Sequence, residues 1–217
     1  MKSSVVEGVS DTAFWMAKYR GDEGLREDRL FEDPLDARLA GEHGRAVAAY
    51  MGHQATVAWG VAMRTNLIDR MIMELVSNGV ELVLNLGAAL DTRPYRMRLP
   101  PKLRWIEALA DNLWTYFQEA LWIQNFTTPR QLNGRRDAFR RKIPSAPVRF
   151  CPDDWVDFFE RHGWSLAGQR TFMELAQEVN RFPNPKLFSR MIFKATQRYL
   201  GSAGCLVLKR VANSRED

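Results

Sequence analysis

Val83 to Arg96 reads VLNLGAALDTRPYR, and this stretch decides how the rest of the chain is read. Together with Glu81 and Leu82 it opens as ELVLNLG, a short apolar run of the kind that forms a buried strand in a parallel sheet. The run breaks at Gly87, and Asp91, Arg93 and Arg96 follow at once. Where a chain leaves a parallel strand at a glycine, backbone N–H groups and a following helix start face one crevice. Glycine there lets a ligand approach the main chain closely. A glycine after a strand is more often only a turn, so Gly87-Ala88-Ala89 is weak evidence when taken alone.

The segments around it alternate. DTAFWMAKYR (Asp11–Arg20) predicts a helix with Asp11 as N-cap, and the polar stretch from Gly21 to Pro34 predicts a loop. Helices are expected from about Arg45 to Trp59 and from about Val61 to Ser77, the second with an apolar stripe of Ile68, Ile72, Leu75 and Val76. Asn78-Gly79 closes it. LRWIE (Leu103–Glu107) predicts a second strand, and Glu107 at its end can accept hydrogen bonds from ribose hydroxyls. A helix over 108–119, a strand over LWIQNF (Leu121–Phe126) and a polar helical run at RRDAFRRK come next. The last third predicts a short helix in PDDWVDFFERHGW, a strand in SLAGQRTFMEL, an amphipathic helix in PKLFSRMIFKATQRYL and a final strand in GSAGCLVLKRV. Such alternation implies an α/β sandwich with a mainly parallel sheet, its last two strands antiparallel neighbours.

The 217 residues suit one domain with a full core. Net charge is +5 and the sequence pI about 9.4. The densest basic run, Arg135, Arg136, Arg140, Arg141 and Lys142, reads as a solvated helix face, and no nucleic-acid motif or stacking platform accompanies it. No nucleic-acid partner is therefore expected. No segment approaches the roughly 18 apolar residues of a membrane span, and no signal-peptide core leads the chain. Cys151 and Cys205 form neither a disulfide framework nor a metal pattern, which points to a reducing cytoplasm and no metal. His43, His53 and His162 lie in no catalytic motif, so no catalytic residue is assigned.

SDTAFWMAKYR, LFEDPLDARLAGE, MRTNLIDRMI, VLNLGAALDTRPYR and RWIE occur in this order over about residues 10–107. In that order they resemble the S-adenosylmethionine-dependent methyltransferases related to leucine carboxyl methyltransferase, in particular the bacterial O-methyltransferase branch of polyketide and other secondary metabolism. FCPDDWVDFFERHGW and the terminal hairpin resemble the family's C-terminal part. The resemblance implies a Rossmann-like class I methyltransferase sandwich in a single domain. Residues 1–79 would form a helical N-terminal lid and cap, and 80–217 the α/β core. It implies S-adenosylmethionine as cofactor, a small-molecule substrate, and compatibility with a homo-oligomer.

The family's loop reads Gly-Ala-Gly-Leu-Asp-Thr-Arg. Gly87, Ala88, Asp91 and Arg93 match it, and Ala89 replaces the second glycine. Arg64 matches the arginine that pairs with the cofactor carboxylate, a task suited to a guanidinium fork. Arg20, or Lys18 beside it, resembles the basic residue of the lid helix, and Glu107 the acid that ends the second strand.

Elsewhere the pattern departs. The family follows that acid with an Asp, which holds the ribose, and a Pro; here Ala108 and Leu109 follow, and Asp111 is not expected to substitute. The next residues resemble the segment before the family's fifth strand. The chain thus passes from its second strand to its fifth, without the acidic adenine contact or the Thr-Glu-Gly segment between them. A shortened sheet of order 2-1-5-7-6 is expected, with VLNLG central. The same departures predict weak S-adenosylmethionine binding. They also define an alternative: a descendant without cofactor binding that serves as a small-molecule binder or a cofactor-independent cyclase or isomerase.

Overall fold

The computed structural model describes residues 5–6, 8, 10–52, 54–108, 120–129, 132, 141–142, 151–182 and 203–211. The chain divides into two units, Met1–Ala110 with Phe139–Pro147, and Asp111–Ala138 with Val148–Asp217.

In the first unit, helix α1 spans Ser10–Gly24. The Asp11 carboxylate accepts from the Gly8 backbone N–H (2.9 Å) and tightens the entry to the helix. Helix α2, Pro34–Met51, begins with Asp33 as N-cap, its side chain accepting from the Asp36 amide, and Pro34 in the first turn. It kinks at Gly41, whose φ is +53°. Helix α3 runs over Gln54–Ser77. Trp15 and Tyr19 of α1 pack on Val47, Ala48 and Met51 of α2 and Val61 of α3. Two glycines bring α1 and α2 close. A Cβ at Gly21 would lie 2.7 Å from the Ala37 Cα, and one at Gly44 would lie 2.7 Å from the Phe14 carbonyl oxygen.

Three helical expectations change. α1 continues to Gly24, because Gly21 is a packing position and not a break. The chain breaks between the later helices at Gly52 (φ +68°) and not near Gly60, which lies inside α3. The buried stripe of α3 is Met63, Leu67, Met71 and Ile72; Ile68, Leu75 and Val76 are only half-buried. The end of α3 follows the sequence. Gly79 has φ +98°, and the Val80 amide reaches back to the Leu75 carbonyl (3.1 Å).

Strand β1, Leu82–Leu86, pairs in parallel with β2, Arg104–Ala108, and Asn85 faces Glu107 in the ladder. Helix α4, Arg93–Arg96, lies between them in sequence. β1 is half-buried along its whole length, and Ile106 of β2 is exposed. The run expected to be buried is thus half-buried on both faces among the described residues.

The second unit holds a three-stranded antiparallel sheet. Its strands are β3 (Leu121–Thr127), β4 (Trp164–Thr171) and β5 (Ala203–Arg210), in the order β3-β5-β4. Phe159, Trp164, Leu206 and Leu208 form its core, with Trp122 and Trp155 against them. Helix α5 (Trp155–Glu160) is capped by Asp154, which accepts from the amides of Val156 and Asp157. Helix α6 (Phe172–Glu178) starts with a capping box between Thr171 and Glu174. β4 and β5 are the antiparallel pair expected at the end of the chain.

Of the expected order 2-1-5-7-6, the described residues show 2-1 as the β2-β1 pair of the first unit and 5-7-6 as the β3-β5-β4 sheet of the second. One strand pairing is parallel and two are antiparallel, so the sheets are not mainly parallel. An apolar run specifies a strand, but which strand pairs with its second edge depends on distant chain. The expected helices over 108–119 and PKLFSRMIFKATQRYL, and most of RRDAFRRK, lie outside the described residues. No helix among the described residues is long and apolar enough to cross a membrane.

Candidate functional site

The loop after β1 turns on two left-handed residues, Gly87 (φ +64°) and Ala89 (φ +49°). Glycine takes this conformation freely, whereas alanine does so at a cost of about 1–2 kcal/mol. The second glycine of the family loop thus has a backbone reason, and Ala89 departs from the pattern at a position that favours glycine. Gly87 and Ala89 are exposed, and a Cβ at Gly87 would meet nothing within 4 Å. Among the described residues, the backbone N–H groups of Ala88 and Ala89 make no turn or loop hydrogen bond to a backbone carbonyl, while Gly87 directly follows the last ladder pair, Leu86 with Ala108.

Beyond the turn the loop is tied down by charge. The Asp91 carboxylate accepts from the Asn85 side-chain amide (2.9 Å), the Arg93 backbone N–H (3.0 Å) and Arg93 Nη1 (2.6 Å). Burial alone would raise the Asp91 pKa; the Arg93 charge and these hydrogen bonds outweigh it and hold the carboxyl below its ordinary value. Burial likewise acts to lower the Arg93 pKa, and Asp91 and Asp69 together raise it instead. Arg93 Nε donates to Asp69 (2.7 Å), and Arg96 Nη2 donates to the same carboxylate (2.9 Å). Arg96 Nε also stands 3.1 Å from Asp33, and its guanidinium lies over the Phe31 ring at 5.1 Å. The Thr92 hydroxyl donates to Asp33 (2.5 Å).

Arg20 enters this framework from α1. Its Nε and Nη2 donate to Asp36 on α2, and Nη2 also donates to the Leu90 carbonyl (2.5 Å). Asp36 is fully buried, and burial pushes its carboxyl up to about 7 despite the Arg20 contact.

Among the expected site residues, Gly87, Ala88, Ala89 and Asp91 share one loop, and Arg20 reaches it from α1 through the Leu90 carbonyl. Glu107 is exposed at the end of β2, paired in register with Asn85 two residues before Gly87. Arg64 is exposed on α3. Arg93 and Arg96, which the sequence displays as free charge behind the turn, are turned inward to Asp69, Asp91 and Asp33. Lys18 pairs with Asp22 and is set apart from this framework. His43 bonds Asp11 (2.7 Å) and His162 bonds the Phe158 carbonyl (2.6 Å), both local roles; His53 lies outside the described residues. Sequence reasoning missed Asp33, Asp36, Asp69, Asn85 and Thr92. The signal available was acidic residues beside apolar ones in LFEDPLD and NLIDRMI, each needing a basic partner once buried.

The turn offers open amide donors at the carboxyl end of β1 and a carboxylate at the end of β2, an arrangement that can receive a ligand carrying acceptors and hydroxyls. Among the described residues no group of His, Cys, Asp or Glu is arranged to hold a metal ion.

A sequence profile of the leucine carboxyl methyltransferase family matches residues 13–173. The match includes the loop and runs across the join after β2. A protein of Streptomyces coelicolor named as an inferred S-adenosyl-L-methionine-dependent methyltransferase is 33% identical over 108 residues, 46% of this chain and 38% of its own length. One of Frankia alni with the same kind of name is 34% identical over 109 residues, again 46% and 38%. A second Frankia alni relative, likewise named, is 33% identical over 123 residues, 54% of this chain and 44% of its own. The chain spans about two fifths of the length of the curated relatives it matches. The names of these relatives refer to S-adenosyl-L-methionine as their cofactor.

Proposed function

The chain belongs to the leucine carboxyl methyltransferase family, and on that premise we propose that it is an S-adenosylmethionine-dependent methyltransferase acting on oxygen of a small molecule of secondary metabolism. The observation that carries this reading is the open turn Gly87–Ala89 at the end of β1, with Glu107 at the end of the neighbouring strand. The turn amides would receive the amino-acid portion of the cofactor, Arg64 its carboxylate, and Glu107 the ribose hydroxyls. The cofactor supplies an activated methyl group on sulfur. The protein contributes position: it holds donor and acceptor in line and excludes water, a source of rate that asks little of a general base. A carboxylate or phenolate substrate oxygen, already ionised or nearly so, fits that economy.

The cofactor-free alternative is not favoured. The family match runs through the loop, and the relatives' names all refer to S-adenosylmethionine.

Titration calorimetry with S-adenosylhomocysteine tests the cofactor reading. Binding is expected, and Arg64→Ala should weaken it by about 1.5–3 kcal/mol, the worth of a hydrogen bond to a charged group. An unchanged affinity removes Arg64 from the site, and no binding at millimolar ligand defeats the reading. Transfer of a labelled methyl group to a panel of aromatic acids and phenols tests the acceptor class.

A further inference from the structure

Arg20 does more than pair with Asp36. Its guanidinium is largely buried, and its fork engages the Asp36 carboxylate and the Leu90 carbonyl together. A planar guanidinium fixed on a buried carboxylate dictates where a second acceptor must lie. That acceptor belongs to the residue immediately after Ala89. The other ties of the loop, at Asp91, Thr92, Arg93 and Arg96, all lie beyond it. Arg20 is therefore the tie nearest the open amides. Left-handed alanine is intrinsically disfavoured. If Leu90 were released, Ala89 would relax and carry the adjoining amides with it.

We propose that Arg20 is a positioning residue, which holds the turn Gly87–Leu90 in its ligand-receiving shape through the Leu90 carbonyl and does not itself contact the cofactor carboxylate. Asp36 orients it. This rests on the cofactor reading above for its affinity consequence, but not for its effect on the empty loop.

The test uses Arg20→Gln and the double variant Arg20→Gln/Asp36→Asn. The double variant also replaces the buried Asp36 carboxyl, which the single one leaves without its partner, and so guards against simple unfolding. Two ligands are titrated: S-adenosylhomocysteine, and 5′-methylthioadenosine, which lacks the amino-acid carboxylate. Hydrogen exchange of the segment 87–97 is followed without ligand, with α3 as the internal control. Both ligands should weaken by the same factor, about tenfold for one lost charged hydrogen bond. Exchange in 87–97 should rise while α3 is unchanged. Loss of affinity for S-adenosylhomocysteine alone would show a direct carboxylate contact and overturn the proposal, as would unchanged exchange in the folded double variant. If the parent protein binds neither ligand, the cofactor reading fails, and the exchange result alone decides the role of Arg20.

Discussion

The Thr92 hydroxyl donates a hydrogen bond to the Asp33 carboxylate at 2.5 Å, and both residues are buried. The bond joins the end of the loop after β1 to the N-cap of α2, because Asp33 also accepts from the Asp36 amide there. One carboxylate thus starts a helix and anchors a loop. Thr92→Val keeps the shape and removes the donor. It should lower stability by about 1–3 kcal/mol, the cost of leaving a buried acceptor short of a partner. Urea denaturation reads this as a lower midpoint at unchanged slope; a shift under about 0.5 kcal/mol would show that Arg96 and the amide satisfy Asp33 alone.

Ala89→Gly should stabilise the protein by about 1 kcal/mol, because φ is +49° and glycine relieves the left-handed cost while adding some unfolded-state entropy. The substitution also isolates backbone from side chain. If thermal unfolding shows loss of stability instead, the alanine methyl makes a packing contribution larger than the strain.

Asp36 sets a pH dependence whose sign is opposite to that of a carboxylate governed by its ion pair. Its folded pKa is raised from 3.8 to about 7 by burial. Between those values the folded state holds a proton that the unfolded state has released. Its contribution to stability is therefore complete below the lower value, declines as pH rises through the window, and levels off above about 7. The slope is at most about 1.4 kcal/mol per pH unit. Asp36→Asn should flatten stability across this window in denaturation series at several pH values. Asp91 acts in the other direction. Its lowered pKa gives stability that is present above the ordinary carboxylate range and lost as pH falls through its folded value.

Gly44→Ala should be costly despite its favourable helix propensity. The new methyl would meet the Phe14 carbonyl oxygen at 2.7 Å and the Ala40 Cβ at 2.9 Å, so α1 must move away from α2. Overpacking of this kind costs about 1–3 kcal/mol. Gly60→Ala, with nothing within 4 Å, should instead gain up to about 1 kcal/mol from propensity. Equal melting temperatures for the two variants would contradict the close helix crossing.

Local sequence determined the local structure. The apolar runs at Leu82–Leu86, Arg104–Ala108 and Leu121–Thr127 are strands because near neighbours dictate extended backbone, and Gly79, Gly87 and Gly163 end elements because only their φ freedom allows it. The loop itself was legible, since a strand, a glycine turn and an acid follow one another without interruption. Tertiary structure decided the partners. Nothing near Arg20 in sequence names Asp36 or Leu90, and nothing near Thr92 names Asp33; these contacts span 16, 70 and 59 residues. Charge is long-ranged and unspecific until burial removes the water that competes for it, so a charged motif such as DTRPYR reads equally as a ligand site or as a clamp. Only the packing of α1, α2 and α3 turned Arg93 and Arg96 inward, toward Asp69 and Asp33, and so made of that motif a clamp.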